Sequence, residues 1–240
     1  MRPKKSLGQN FLKDKNIARK IISQTCIKNN SVIEIGPGKG FLTDFIINEF
    51  PKRLYLIEKD EKLANNLEKK YSLKNNIIII NEDIFNIDFK NFEKIKIISN
   101  LPYNISTKLL LKTFKCKDNI TEMILMVQKE LAIKFDYKNK IINKYNFLSN
   151  LSCDYKRLFN VSRNVFHPKP KVESSVIKLT FNKKKINWEK VDIFINRVFV
   201  NKRKKLNKKI KIENSNLENI LEKRIDELRI DEILKIYNFF

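Results

Sequence analysis

The chain has 240 residues, with 50 Lys and Arg against 27 Asp and Glu, a formal charge of +23. That length suits one α/β domain with a small appendage, and it buries enough surface to need no disulfide or metal staple. Three scattered cysteines without a Cys-x-x-Cys pair and a single histidine, His167, argue against redox, zinc and Ser–His–Asp sites, so no metal is expected.

The first signals in chain order are glycines. There are only four, where an average chain of this size carries about 17. Gly8 lies in Lys5-Ser6-Leu7-Gly8-Gln9-Asn10-Phe11-Leu12, and the other three in Glu34-Ile35-Gly36-Pro37-Gly38-Lys39-Gly40. Glycine tolerates positive φ and lets a ligand approach the backbone closely. An apolar run at 32–35 precedes the second stretch, and a helix-like segment at 41–50 follows it. Strand, glycine turn, helix describes a cradle for a nucleotide-type ligand at the end of a first parallel strand.

Further apolar runs bounded by turn residues fall at 53–58, 77–81, 95–100 and 123–128. Between them lie helically spaced residues such as Leu63, Leu67 and Tyr71, or Leu109, Leu110 and Phe114. Alternating elements with near-continuous apolar strands predict a parallel sheet covered on both faces. Two more strands are expected at 155–161 and 175–181. Phe166-His167-Pro168-Lys169-Pro170, between them, reads as an ordered extended loop, because its prolines forbid helix. Beyond Lys183-Lys184-Lys185 the pattern is helical, at 191–199, 217–223 and 225–237. The expected division is 1–184, a Rossmann-like α/β domain, and 185–240, a small all-α domain.

The glycine spacing is G-x-G-x-G, with Phe41 where a dinucleotide fold would place its third glycine. Glu58 ends the second strand, where a carboxylate accepts hydrogen bonds from both ribose hydroxyls of an adenosine. Asp83 ends the third, placed to accept from an adenine amino group while Ile84 packs on the ring. Each acid alone is an ordinary strand-end charge. Together, at successive strand ends beside Gly36 and Gly38, they point to S-adenosylmethionine.

Asn100-Leu101-Pro102-Tyr103 ends the fourth strand. An exocyclic base amine is a poor nucleophile because its lone pair is delocalised into the ring. The Asn100 side-chain oxygen and a backbone carbonyl, of Leu101 or Pro102, can accept its two hydrogens and favour a pyramidal nitrogen. Pro102 stiffens the turn, and Tyr103 can stack on an extruded base. Positioning and electrostatics then carry the rate without a strong general base.

The stretch at 202–211 carries seven bases and no acid, including Lys202, Arg203, Lys204, Lys205, Lys208 and Lys209. Lysine-rich composition scatters charge; a cluster points to a polyanion, and with the other motifs to RNA.

These motifs, together with Met126-Val127-Gln128-Lys129-Glu130 and Phe166-His167-Pro168-Lys169-Pro170-Lys171-Val172-Glu173-Ser174, resemble those of the ribosomal RNA adenine dimethyltransferases. The match runs from residue 4 to about 181 and looks nearest to the small-subunit branch. The resemblance implies a class I methyltransferase sheet and dimethylation at N6 of two adjacent adenosines in a 3′-terminal hairpin of small-subunit rRNA. It implies a pre-ribosomal 30S-type particle as partner, with the enzyme assisting assembly. It further implies that Asn10 and Leu12 close over the cofactor, that Gly36, Glu58, Asp83 and Asn100 bind it, and that Phe166 forms a second aromatic wall opposite Tyr103.

Two departures stand out. Asp136-Tyr137-Lys138-Asn139-Lys140 and Tyr145-Asn146-Phe147-Leu148-Ser149 replace the family's Pro-Gly-Ser and Tyr-Gly-Arg-Leu-Ser segments, and Arg203-Lys204-Lys205-Leu206 lacks a threonine. A large-subunit adenine methylase, a non-catalytic assembly factor and a mitochondrial transcription-factor descendant are the rival readings. The first residues lack a secretory apolar core and no apolar run reaches 18 residues, so a cytoplasmic protein with no membrane partner is expected; a monomer is the expected state.

Overall fold

The computed structural model describes residues 10–138 and 141–240. Gly8 and the rest of the first motif before Asn10 lie outside the described residues, as do Asn139 and Lys140 of the atypical loop. The chain divides into two compact units, residues 1–132 with 156–181, and residues 133–155 with 182–240. The linear boundary near 184 lies close to Asn182, where the chain passes into the second unit for the last time. Residues 133–155 also belong to that unit, an assignment the linear reading does not make.

A seven-stranded sheet, in the first unit apart from residues 153–155 of its last strand, has the order β4-β3-β2-β5-β6-β9-β7. Its strands are β2 (Ser31–Ile35), β3 (Arg53–Ile57), β4 (Ile77–Ile80), β5 (Ile95–Asn100), β6 (Ile120–Gln128), β7 (Cys153–Val161) and β9 (Ser174–Phe181). β2, β3, β4, β5 and β6 pair in parallel, and β9 runs antiparallel to β6. From β2 the chain winds outward through β3 to β4; it then returns to β5, on the other side of β2, and winds away again. The point of reversal lies between β2 and β5, where open α/β sheets leave a crevice beyond their strand ends. β2 is buried at four of five positions because the sheet is covered on both faces.

Local chemistry sets the helix starts. Asp14 caps α1 (Lys15–Ile22), its carboxylate accepting from the N–H groups of Asn16 and Ile17, and Asp60 caps α3 (Glu61–Tyr71) in the same way. α1 buries Ala18, Ile21 and Ile22, a three-to-four residue spacing that lays one face on the core. α2 (Phe41–Ile47) is shorter than the expected 41–50, ending at Asn48 before Phe50 turns to φ +53°. α4 (Ser106–Lys115) follows the Asn100–Tyr103 turn, and α5 (Lys129–Phe135) follows β6. A small antiparallel pair was not expected: β1 (Phe11–Leu12) joins β8 (Phe166–His167), with Leu12 opposite Phe166 and Phe11 opposite His167.

The second unit holds α6 (Lys144–Ser152), α7 (Trp188–Val198), α8 (Glu218–Leu221) and α9 (Ile230–Phe239). Asn143 and Asn146 form a reciprocal capping box at the start of α6. Phe147 sits at the centre of its core, with ring centroids 5.3 Å from Phe194, 5.8 Å from Phe199 and 5.5 Å from Tyr237. The expected helix at 225–237 is instead a short 3-10 turn and then α9, with Leu228 extended between them. Glu227 and Glu232 each reach back to a backbone N–H, of Arg224 and Arg229, so each segment starts with its own cap. Residues 202–211 are irregular rather than helical, apart from a turn at Leu206–Lys208.

Candidate active site

A cavity of about 510 Å³ opens at the carboxyl ends of β2, β3, β4 and β5. Its volume lies within the range of small-molecule sites, about 300–1,000 Å³. One wall is the glycine turn after β2. Gly36, Gly38 and Gly40 all have positive φ, at 64°, 61° and 76°. A Cβ on Gly38 would lie 2.7 Å from Cε1 of Phe11, so here only glycine lets β1 come down on the turn. Asn10 and Leu12, at that short strand, also line the cavity.

Glu58 stands just beyond β3 and is nearly buried. Its Oε2 accepts from the Gly38 N–H at 3.0 Å and its Oε1 from the Asp60 N–H at 2.9 Å. Burial raises its pKa above the ordinary carboxylate range, and those N–H groups pull the other way. Each oxygen keeps further acceptor capacity, so the carboxylate is held at a fixed angle at the mouth of the turn. Asp83 and Ile84 follow β4 and line the next part of the wall. The Lys59 ammonium, 2.8 Å from Oδ2, and the Phe85 N–H, 3.0 Å from Oδ1, lower the Asp83 pKa and keep it an anion. Ile84 is 4% exposed and supplies an apolar surface beside it.

Behind the turn lies a carboxyl the sequence reading did not assign. Glu34 is 2% exposed, and burial raises its pKa to about 8, although Thr43 Oγ1 donates to its Oε2 at 2.6 Å. Tyr71 and Lys70, at the end of α3, brace the same turn. The Tyr71 hydroxyl donates to Asp44 Oδ1 at 2.7 Å and lies 3.1 Å from the Gly40 carbonyl oxygen, while Lys70 Nζ is 2.7 Å from Asp44 Oδ2.

Asn100 ends β5, the fourth strand of the sheet in chain order. It lines the cavity with Leu101 and Pro102. Its Nδ2 donates to the Asn10 carbonyl at 2.9 Å, which orients the amide with Oδ1 facing away from β1. The Pro102 carbonyl already accepts from Ser106 Oγ at 3.0 Å and from the Ile105 N–H at 3.3 Å. Tyr103 is half-buried, with its hydroxyl 2.7 Å from Ser174 Oγ.

Phe166 is 2% exposed and packs in the main core with Leu12 and Val161. In this arrangement its ring presents almost no surface to a base. On the neighbouring position of β8, His167 lines the cavity instead. Strand alternation accounts for the exchange, since Phe166 and His167 point to opposite faces. Phe11 and His167 are among the wall residues that sequence reasoning missed. The alternation in Asn10-Phe11-Leu12 was the available signal, but its pairing with β8 was not visible.

Among the described residues no group of three or more His, Cys, Asp or Glu is placed to hold a metal ion. The donors present suit an adenosyl group: two carboxylates at successive strand ends, an apolar plate at Ile84 and a turn kept clear of Cβ atoms.

Known proteins resemble the chain over its whole length. A family model described as ribosomal RNA adenine dimethylase matches residues 1–240. Ribosomal RNA small subunit methyltransferase A of Mycoplasma mycoides is 39% identical, over 99% of this chain and 97% of that protein. Its namesake in Hydrogenobaculum sp. is 37% identical, over 99% and 93%. The crystal structure of a dimethyladenosine transferase from Plasmodium falciparum superposes with a TM-score of 0.79 at 25% identity, covering 96% of this chain and all of that one. The 23S rRNA methyltransferase ErmE shares the fold, with a TM-score of 0.80 at 20% identity over 95% and 98% of the two chains. The chain belongs to the ribosomal RNA adenine dimethylase family, whose members use S-adenosylmethionine to dimethylate adenine N6 in ribosomal RNA.

Proposed function

We propose that this protein dimethylates N6 of two adjacent adenosines in a 3′-terminal hairpin of small-subunit ribosomal RNA. It acts in the cytoplasm as a monomer on a pre-ribosomal 30S-type particle and assists its assembly. The observation that carries the small-subunit reading is the near full-length similarity to small-subunit methyltransferases at 37–39% identity. The large-subunit likeness is one of fold at 20% identity and does not compete with it.

S-adenosylmethionine, when bound, supplies a methyl group on a sulfonium sulfur. Gly36 and Gly38 leave room for it, Glu58 accepts from its ribose hydroxyls, Asp83 accepts from its adenine amine, and Ile84 packs on that ring. Asn10 and Leu12 close the site from β1, and Asn100 lies where its two sides meet.

Asn100 Oδ1 and a backbone carbonyl accept the two hydrogens of the target N6. Since the Pro102 carbonyl is engaged by Ser106 and Ile105, we assign the second acceptor to Leu101. Pro102 stiffens that turn. With the donor bound, these oxygens would stabilise the positive charge that develops on N6 as it takes up the methyl group, and the N6 proton would leave to water. Tyr103 stacks on the flipped base. Phe166 becomes its second wall only if β8 shifts enough to uncover the ring. Lys202, Arg203, Lys204, Lys205, Lys208 and Lys209 form the RNA-docking strip.

Primer extension on small-subunit RNA treated with the protein and labelled donor tests the proposal. Two adjacent stops near the 3′ end are expected with wild type and none with Asn100→Ala. Stops in large-subunit RNA instead, or wild-type transfer by Asn100→Ala, would refute it.

A further inference from the structure

Three backbone carbonyls converge on one ammonium beside the cavity. Lys112, on α4, places its Nζ 3.0 Å from the Ile84 oxygen, 2.8 Å from that of Phe85 and 2.6 Å from that of Ile87. An ammonium has three N–H donors, and all three are used here. A lysine on an amphipathic helix ordinarily extends its charge into water. This one is drawn inward far enough that burial lowers its pKa.

The segment it grips continues directly from the cavity wall, which Asp83 and Ile84 line. Residues 83–87 carry Asp83 and Ile84, and Asp83 Oδ1 is itself tied to the Phe85 N–H at 3.0 Å. One turn earlier on α4, Lys108 Nζ sits 4.2 Å from the centroid of the Phe85 ring. Two lysines of one helix thus hold one irregular loop, by its carbonyls and by its aromatic side chain. Loop carbonyls left to water would let the segment sample many positions; a charge-assisted bond to each restricts it to one.

We propose that Lys112 is a positioning residue for the methyl donor's base: by fixing the backbone at 84–87 it holds the Asp83 carboxylate and the Ile84 side chain against adenine, and so sets the preference for adenine over other purines. This rests on the reading that the donor occupies the cavity.

The test compares wild type with Lys112→Met by calorimetric titration with S-adenosylhomocysteine and with S-inosylhomocysteine, in which an oxo group replaces the adenine amine. The dissociation constant for the adenosyl ligand should rise about tenfold or more, the scale of one charge-assisted hydrogen bond. That for the inosyl ligand should rise much less, so the preference between them shrinks. The KM for the donor should rise in parallel, kcat at saturation should change less than about twofold, and Lys112→Arg should recover part of the preference. Should Lys112→Met not fold, Lys112→Gln, which keeps an N–H but not the reach, is measured in its place. An unchanged preference overturns the proposal, whether affinity is unchanged or falls equally for both ligands. Failure of the underlying reading has a different signature: wild-type binding of the adenosyl ligand that is insensitive to Glu58→Ala.

Discussion

The side-chain amide of Asn100 donates to the backbone carbonyl of Asn10 at 2.9 Å, joining the tip of β5 to the start of β1. The residue proposed to activate the target amine is therefore oriented by the segment proposed to cover the methyl donor. Asn100→Asp places a carboxylate against that carbonyl and removes the bond. Loss of kcat by about 10²–10³ is expected, the scale of removing one preorganised polar group, with weaker S-adenosylhomocysteine binding as well. Steady-state kinetics with a calorimetric titration would separate the two effects.

The glycine turn makes a graded prediction. Gly36→Ala meets no protein atom nearer than 3.5 Å, so its cost to the fold is that of the left-handed backbone alone, about 1–2 kcal/mol, and any loss of affinity beyond that comes from its Cβ crowding the ligand. Gly38→Ala carries the same cost and also pushes on the Phe11 ring. Its dissociation constant for S-adenosylhomocysteine should exceed that of Gly36→Ala by about tenfold. Equal affinities for the two variants would show that Phe11 does not cover the ligand.

Glu34 gives a pH dependence with a definite sign. Its folded pKa is raised, from 4.5 to about 8, so between these values the folded chain holds a proton that the unfolded chain has lost. Stability from this group is complete below pH 4.5 and falls as pH rises towards 8, by about 1.4 kcal/mol per unit. Glu34→Gln removes the titration while keeping an oxygen for Thr43 to donate to. Chemical denaturation should show the variant more stable than wild type at pH 8, with the gap narrowing towards pH 5.

Phe147 touches three aromatic rings in the second unit and is fully buried. Phe147→Ala should destabilise that unit by about 3–5 kcal/mol. Hydrogen exchange would register the loss in residues 188–240. Unchanged protection there would show that the aromatic cluster does not hold the unit together.

The basic strip is not uniform. Lys204 and Lys208 are exposed, whereas Lys209 is partly buried and its Nζ donates to the Val198 carbonyl at 2.8 Å. Each phosphate contact adds about 0.7–0.9 to the slope of log affinity against log salt. Lys204→Gln with Lys208→Gln should lower that slope for small-subunit RNA by about 1.5. Lys209→Gln should lower the melting temperature more than the slope. A flat salt response in wild type would remove the strip from RNA docking.

Much of this architecture was readable from local patterns. Apolar runs bounded by turns marked the five parallel strands, because a strand buried on both faces must be apolar almost throughout. Glycine scarcity marked the turn after β2, because positive φ there excludes other residues. Asn100, Leu101, Pro102 and the acids at 58 and 83 stand at strand ends, so the sheet topology alone brings them to one rim.

Tertiary packing decided the remainder. Whether Asn100 Nδ2 meets Asn10, or the Tyr103 hydroxyl meets Ser174, depends on approaches across 90 and 71 residues that no local pattern encodes. Phe166 lies in the core, and His167 on the cavity, because β8 pairs with β1 in a particular register. Lys112 resembles any other lysine of a basic amphipathic helix until the loop after β4 folds over it. Sequence determined which groups stand at the strand ends; only the folded chain determined their partners, since a side chain's hydrogen bonds depend on what packing brings within about 3 Å.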